Sequence, residues 1–469
     1  MKIAAVVLCF LAGFLATSAQ AESTVLDVVK SNPNLSTLLS AIQAAGIEES
    51  LNQKDITLFA PSNDAFVNDP KLPGYRLKYL LDPKNKESLV RVLSYHVAVS
   101  VESSKDLITK ASSSMGVSTA EGTNKLFPTY ENNQLQIDDE TCHAAAITTE
   151  DVAASNGMVQ IIDSVLIPPG AICPDVVFAA EQRSDARISV YGYDCRNRGF
   201  QHLLHGEAKP VGLAVDSASQ TLFWSNDLDE PHQTNTSWIT SMNWTNVSTL
   251  TKIRKKAVDP QGMETDEARE RLYFTEHSGY RVSSSKYDGS DYTVLVEKKG
   301  DDCFQTSDVS VDIDANKMFI YAECPTTDAG TLWVANATGG NLTKLKDGLL
   351  HNYGLCIDRN QKHLFYVQGG NDGSITCHAY GKIPCAKDVV IDGLQWPYMC
   401  QVDSTWVEYG GPTIVIFSEA NRPGTISYLT TNGTDLQSLK VLTSELDAPM
   451  GVALGCLGTD ANMNVTALL

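Results

Sequence analysis

Cysteine is the residue through which this chain could most readily do covalent chemistry, and there are eleven. Cys9 lies in an apolar leader, and its removal leaves ten, an even number. No two have the C-x-x-C spacing of a zinc site, so the sulfurs are expected to pair with one another in an oxidising compartment. Acid–base chemistry has thinner support. His205, Glu207, His351, Asn352 and Asp447 form no recognisable nucleophile–base set, and no G-x-S-x-G turn occurs. Asp227-Leu228-Asp229-Glu230 and the alternating Asp312, Asp314 and Asn316 could attract calcium, the one cation these segments suggest. Neither has the ordered ligands and following glycine of a calcium loop. They read as a solvated loop and a strand-to-strand turn, and no cofactor is expected. Eight N-x-Ser/Thr sequons begin at Asn34, Asn235, Asn243, Asn246, Asn336, Asn341, Asn432 and Asn464, a density that suits a glycoprotein.

The leader explains how such chemistry would reach its compartment. Lys2, the apolar run Ile3 to Ala16 and Ala19-Gln20-Ala21 make a cleavable signal over residues 1–21. No later stretch is long and apolar enough for a transmembrane segment, so the chain is expected to be secreted, or held at a cell surface or in matrix by a partner. A formal net charge of −20 argues against nucleic acid or anionic membrane as the main partner. The length implies at least two domains.

Residues 22–170 read as an α+β domain. Val25, Val28, Val29, Leu35, Leu38, Leu39 and Ile42 follow helical spacing, broken at Asn32-Pro33, and Gly46 sits near the second helix's end. Ile56 to Pro61 reads as a strand, Ser62-Asn63-Asp64 as a helix start, Ser88 to Tyr95 as a helix and Met158 to Ile167 as a strand. Thr123 to Cys142 shows little strand alternation. Three stretches resemble the fasciclin domain: Thr57-Leu58-Phe59-Ala60-Pro61-Ser62-Asn63-Asp64-Ala65-Phe66, Leu93-Ser94-Tyr95-His96-Val97, and Asn156-Gly157 through Leu166. The resemblance implies a non-enzymatic adhesion or matrix-binding module, with Tyr95 and His96 as the contact candidates. A histidine ending an amphipathic helix is more often an internally bonded structural residue than a contact.

Residues 171–456 repeat one unit six times. Its inner strand appears at Gly212 to Asp216, Gly262 to Asp266, Val309 to Asp312, Gly354 to Asp358, Met399 to Asp403 and Gly451 to Leu454. Its second strand begins near Val176, Leu222, Leu272, Met318, Leu364 and Ile414. A period of about 40–50 residues with four short strands per unit predicts a six-bladed β-propeller. The chain enters on the second strand of a blade whose first strand arrives only at the end, a clasp that closes the ring. The second-strand motifs resemble the Tyr-Trp-Thr-Asp repeats of low-density lipoprotein receptor propellers, although Asn226, Glu276 and Gln368 stand where that family has Asp. Residues 457–469 read as a tail.

This frame places the sulfurs. Cys173 and Cys456 flank the clasp, Cys303 and Cys324 lie on neighbouring loops, Cys377 and Cys385 flank one hairpin, and Cys356 and Cys400 lie on adjacent inner strands. Cys142 and Cys195 remain as a bridge between domains. Asn243, Asn246, Asn336, Asn341 and Asn432 fall at turns between third and fourth strands, on the rim that also receives Cys173 and the stiff connection Ile167-Pro168-Pro169-Gly170. If glycosylated, they cover that rim and leave the opposite one freer, apart from Asn235. Its loops carry Phe304, His351, Tyr353, Trp396 and Tyr398, which suit either an interface or the packing of the central opening. The expected protein is therefore a secreted, non-enzymatic adhesion or ligand-binding glycoprotein whose partners are extracellular proteins or glycans. A calcium-dependent propeller hydrolase acting on lactones or esters is the alternative.

Overall fold

The computed structural model describes residues 23–456 apart from residues 70, 140–143, 175, 183–185, 193–200, 206–208, 228–236, 302, 328, 351, 386, 421–422 and 432–435. In the first module the helix α1 (Val25–Ser31) opens with a reciprocal Thr24/Asp27 capping box, and Asn32-Pro33 ends it. The helix α2 (Ser36–Ala45) stops at Gly46, whose φ of 70° suits glycine. Ser62 caps α3 (Asn63–Asn68) through the Ala65 amide, with Asp64 in the first turn as expected for a helix start. Two further helices, α4 (Gly74–Leu81) and α5 (Lys86–Tyr95), pack beside them. The strands are β1 (Ile56–Pro61), β2 (Val97–Ala98), β3 (Val117–Ser118), β4 (Lys125–Glu131), β5 (Gln134–Asp138), β6 (Ala144–Ala154) and β7 (Gly157–Ile162). They form one sheet ordered β2-β1-β7-β6-β5-β4-β3.

The stretch with little alternation is thus the β4–β5 hairpin, turned by Asn132 and Asn133 at positive φ. Its buried positions, Leu126, Pro128, Leu135 and Ile137, do alternate, but Thr, Tyr, Gln and Glu between them dilute the pattern. The signature residues are mostly architectural. Gly157 pairs in parallel with Ile56, where any Cβ would lie 2.0 Å from the Ile56 carbonyl oxygen. The Asn156 amide accepts from Val25 N at 2.8 Å and donates to the Leu51 and Gln53 carbonyls. Asn63 similarly ties α3 to Thr37 and Pro33.

Six four-stranded antiparallel sheets follow, numbered here as blades 1 to 6. Blade 1 takes Val176–Glu181, Arg187–Gly192 and Gln201–His205 from the start of the ring and its inner strand, Pro449–Gly455, from the end. The clasp is formed. Disulfides Cys173–Cys456, Cys303–Cys324, Cys356–Cys400 and Cys377–Cys385 are present, while Cys142 and Cys195 lie outside the described residues.

Three local devices explain why the repeat reads as it does. Inner-strand glycines let neighbouring blades meet at the axis: a Cβ on Gly212 would sit 2.0 Å from the Gln261 carbonyl, and one on Gly451 would sit 2.3 Å from that of Val211. The Asp ending an inner strand folds the next turn. Asp216 accepts from Ala218 and Ser219, Asp312 from Ala315, Asp358 from Asn360 and Gln361, and Asp403 from Thr405. The acid ending a second strand ties three elements together. Glu181 and Glu276 take bidentate bonds from Arg187 and Arg281 on the third strand, and each accepts a loop amide, from Asp447 and Val258. Glu419 accepts from Thr425 and the Gln395 amide. Glutamate at the place of the family's Asp is therefore a blade brace.

Candidate functional site

The sequence candidates separate sharply on burial. Tyr95 is fully buried, with its hydroxyl donating to the Lys125 carbonyl at 2.8 Å. His96 is fully buried too. Its Nδ1–H donates to the Val92 carbonyl at 2.8 Å, and its Nε2 accepts from the Leu166 amide at 3.0 Å. Both are corrected from contact residues to core residues, because neither presents a surface. Phe304 is corrected in the same way: it is fully buried, edge-on to Trp333 at 5.3 Å. His351 lies outside the described residues, as do Asn235, Asn432, Asn464 and the whole 1–21 leader. Asn34, Asn246 and Asn341 are exposed, and Asn243 and Asn336 are half-buried.

The buried His96 makes a prediction. Burial pushes its pKa down to about 4, against 6.5 unperturbed, so the fold holds it neutral. The unfolded chain takes up the proton first, so stability is full above about pH 6.5 and declines as pH falls towards 4. Between pH 7 and pH 5 this site is expected to lose about 2 kcal/mol. Thermal melts should show that loss, and His96→Gln, which can still donate and accept, should flatten it. An equal slope in the variant would refute the assignment.

Two candidates do meet, at the starts of adjacent inner strands on the rim opposite the first module. Tyr353 and Tyr398 start adjacent inner strands and stack with centroids 4.2 Å apart and planes 15° apart. Burial, then the neighbouring tyrosine and acids, raises the Tyr398 pKa well above its ordinary value. Trp396 stands outside this pair and is 43% exposed. Its backbone is left-handed, with φ 52°, and its indole N–H donates to Asn371 Oδ1 at 2.7 Å. The same conformation recurs just before other inner strands, at Lys209, Asp259 and Ala448. In each the carbonyl accepts an amide of the loop joining strands two and three, as in Ala420 N to Trp396 O at 2.9 Å and His277 N to Asp259 O at 2.9 Å. A non-glycine residue there costs on the order of 1–3 kcal/mol. In blades 1, 2, 3 and 6 the device thus ties the start of the inner strand to the loop between strands two and three, and in blade 6 it leaves the Trp396 side chain on the rim.

Sequence reasoning missed the charged cluster on this rim. Asp259 Oδ2 accepts from Ser278 Oγ at 2.7 Å and lies 3.0 Å from His277 Nδ1, while His277 Nε2 is 3.8 Å from Glu323. Burial alone would lower the His277 pKa, but the two carboxylates raise it to about 9, so it is an imidazolium bridging blades 3 and 4. Asp227 is pushed up to about 6 by burial and by Asp259. The only signal in the chain was Asp259 before Pro260, a pairing that also suits an ordinary turn. Of the acid–base candidates, Glu207 and His351 lie outside the described residues, as do the His205 and Asn352 side chains.

The opposite rim holds a second surprise. A cavity of about 540 Å³ opens at the axis there, between the inner-strand ends Glu264 to Asp266, Val311 to Asp314 and Gln401 to Asp403. Arg359 spans part of it, ion-paired with Glu264 and donating to the Val311 carbonyl at 3.1 Å. This rim also seats the first module. Trp406, fully buried in a turn of blade 6, lies 5.7 Å from Tyr75 and 5.5 Å from Tyr79 of α4, with the Arg76 guanidinium 5.1 Å from its ring. Its indole N–H donates to Asp403 at 2.7 Å, and Asn85 donates to the Tyr409 hydroxyl at 3.1 Å. For metal chemistry, His363, Cys377 and Cys385 are close enough among the described residues, but the two sulfurs are bonded to each other. His363 Nε2–H donates to the Ile383 carbonyl at 3.0 Å.

The architecture is therefore an α+β module seated on a closed six-bladed propeller. The fasciclin-domain family model matches residues 33–168. A Synechocystis protein, sll1483, is 33% identical over 147 residues, covering 31% of this chain and 74% of that protein. The pig transforming growth factor-beta-induced protein ig-h3 is 34% identical over 149 residues, and human periostin is 27% identical over 161. These alignments cover 31% and 32% of this chain but only 19% and 17% of those proteins. A chain of a nidogen/laminin complex aligns with TM-score 0.47 at 15% identity, over 60% of this chain and 97% of that one. The chain belongs to the fasciclin-domain family.

Proposed function

We propose that this is a secreted, non-enzymatic adhesion or ligand-binding glycoprotein that holds an extracellular protein or glycan on the open propeller rim. The observation that carries the reading is Trp396: a large aromatic, 43% exposed, on a backbone conformation that costs energy and with its indole fixed by Asn371. Rigid aromatics of this kind anchor interfaces at low entropic cost. Tyr353 and Tyr398 add a stacked aromatic pair at the starts of adjacent inner strands. The four disulfides support an oxidising, extracellular setting. Family membership supports adhesion for the first module, whose role here is that of a seated partner of the ring.

Cell attachment to surfaces coated with the full chain tests this reading. Trp396→Ala is expected to weaken attachment at least tenfold, the scale of an interface hot spot, without lowering the melting temperature. No attachment by the wild type, or full attachment by the variant, would sink it.

The calcium-dependent hydrolase remains the second reading because Asp227 and Asp259 place two carboxylates near the axis beside His277. It is the weaker one, since an imidazolium held between Asp259 and Glu323 is a poor base at neutral pH. Turnover of lactone or ester panels that is abolished by chelator would reverse the order.

A further inference from the structure

We propose that the outermost strand of blade 2 is a docking strip for a sulfated polysaccharide, independent of the Trp396 rim. The strand Asn246–Ala257 carries Lys252-Ile253-Arg254-Lys255-Lys256 near its end. Lys252, Lys255 and Lys256 are exposed, Arg254 is half-buried, and among the described residues none of the four is in an ion pair. In a chain with 36 cationic and 56 anionic residues, such a run without an acid is unusual enough to need a cause.

Lysine on an edge strand is one way to block strand-to-strand aggregation, and that is the simpler explanation. The other blades argue against it. Their outermost strands face the same hazard, yet Thr293–Glu297 and Val389–Leu394 carry no lysine or arginine. Leu436–Leu446 carries one lysine, and Thr343–Leu349 carries two, of which Lys344 is paired with Asp347 at 3.0 Å. Four unneutralised cations occur on blade 2 alone among these edges.

The cations are also held in place. Lys252 Nζ lies 3.4 Å from the centroid of the Trp238 ring, and the Arg254 guanidinium lies 3.7 Å from that of Tyr292 on the next blade. Arg254 Nε is buried without a hydrogen-bond partner, leaving its charge uncommitted to protein acceptors. Ring faces orient a cation without neutralising it, which pre-organises the strip for an anion. From residue 252 to 256 an extended strand covers about 13 Å, enough to meet several anionic groups of a linear polymer. The sequon at Asn246 is at the far end of the strand, about 20 Å from Lys252, so a glycan there need not cover the strip. The choice of polyanion follows from compartment: the disulfide framework places the chain where thiols are oxidised, and there the abundant polyanions are sulfated glycans rather than nucleic acids.

The test uses the full chain and a size-defined heparin decasaccharide, measured by surface plasmon resonance from 50 to 300 mM salt. The wild type should bind with affinity that falls steeply with salt, since polyanion contacts release counterions. K252Q/R254Q/K255Q/K256Q should lose at least tenfold in affinity at 150 mM salt and most of the salt slope. K344Q/K346Q should bind as the wild type does. If the fourfold variant melts early, K255Q/K256Q touches only exposed side chains and should still lose about threefold. No binding by the wild type overturns the proposal, and so does unchanged binding by the variants. Equal binding of desulfated heparin, or of duplex DNA at equal charge, would replace it with generic charge attraction.

Discussion

Replacing both Cys173 and Cys456 by serine is expected to cost the propeller about 4–5 kcal/mol and to make its last strand the first to open. The bond joins residues 283 apart in sequence and sits just outside both halves of blade 1. Pro449–Gly455 pairs with Val176–Glu181 from Glu181 to Val176, and Val452 and Ala453 are buried in that seam. Without the bond, the seam must form from two chain ends that the unfolded ensemble keeps far apart, so nearly the whole loop-closure entropy falls on the ladder. Cys377 and Cys385 are only 8 residues apart, and their removal should cost a smaller amount, about 2–3 kcal/mol. Denaturant unfolding followed by tryptophan fluorescence would order the two variants. Hydrogen exchange should show residues 449–455 losing protection first in the Cys173/Cys456 variant. Equal midpoints for the two variants, with 449–455 still protected, would refute the clasp as the element that holds the ring closed.

The ring was legible because its local rules are strict. Four of the six inner strands carry a glycine where blades meet, as at Gly212, five end in an Asp, as at Asp216 where it folds the next turn, and the second strands are buried. Each leaves a mark at a fixed offset, so six copies reinforce one another. The β4–β5 hairpin had no such repetition and was lost in polar residues. Site residues were harder for a different reason. Phe304, Tyr353, Trp396 and Tyr398 share a residue class and similar places before or at the start of inner strands. Whether the ring fills a gap beside Trp333, as Phe304 does, or stands in solvent, as Trp396 does, depends on contacts between blades. His277 shows the same limit with charge: its two carboxylates come from residues 18 and 46 positions away in sequence.

Trp406→Ala is expected to loosen the first module from the ring at a cost of about 3–5 kcal/mol, the range for deleting a large buried aromatic. The side chain is wholly buried between α4 and blade 6, so truncation removes the surface that Tyr75, Tyr79 and Arg76 cover. It also strands a polar group. Asp403 is buried, its pKa is raised chiefly by burial, and Trp406 supplies one of the donors that offset this. Losing that donor leaves a carboxylate less satisfied in a low-dielectric seam, which adds to the cavity cost. The turn is built for this residue, since a Cβ at Gly411 would lie 2.7 Å from Trp406 Cβ and 2.8 Å from Tyr75 Cγ. The buried connection through Ile167, Ala171 and Ile172 continues the same packed layer, so the two modules are expected to unfold as one in the wild type. Calorimetry of Trp406→Ala should split that single transition into two, with limited proteolysis cutting between residues 167 and 173. A variant that still melts in one step near the wild-type temperature would show that the Trp406 contact does not couple the modules.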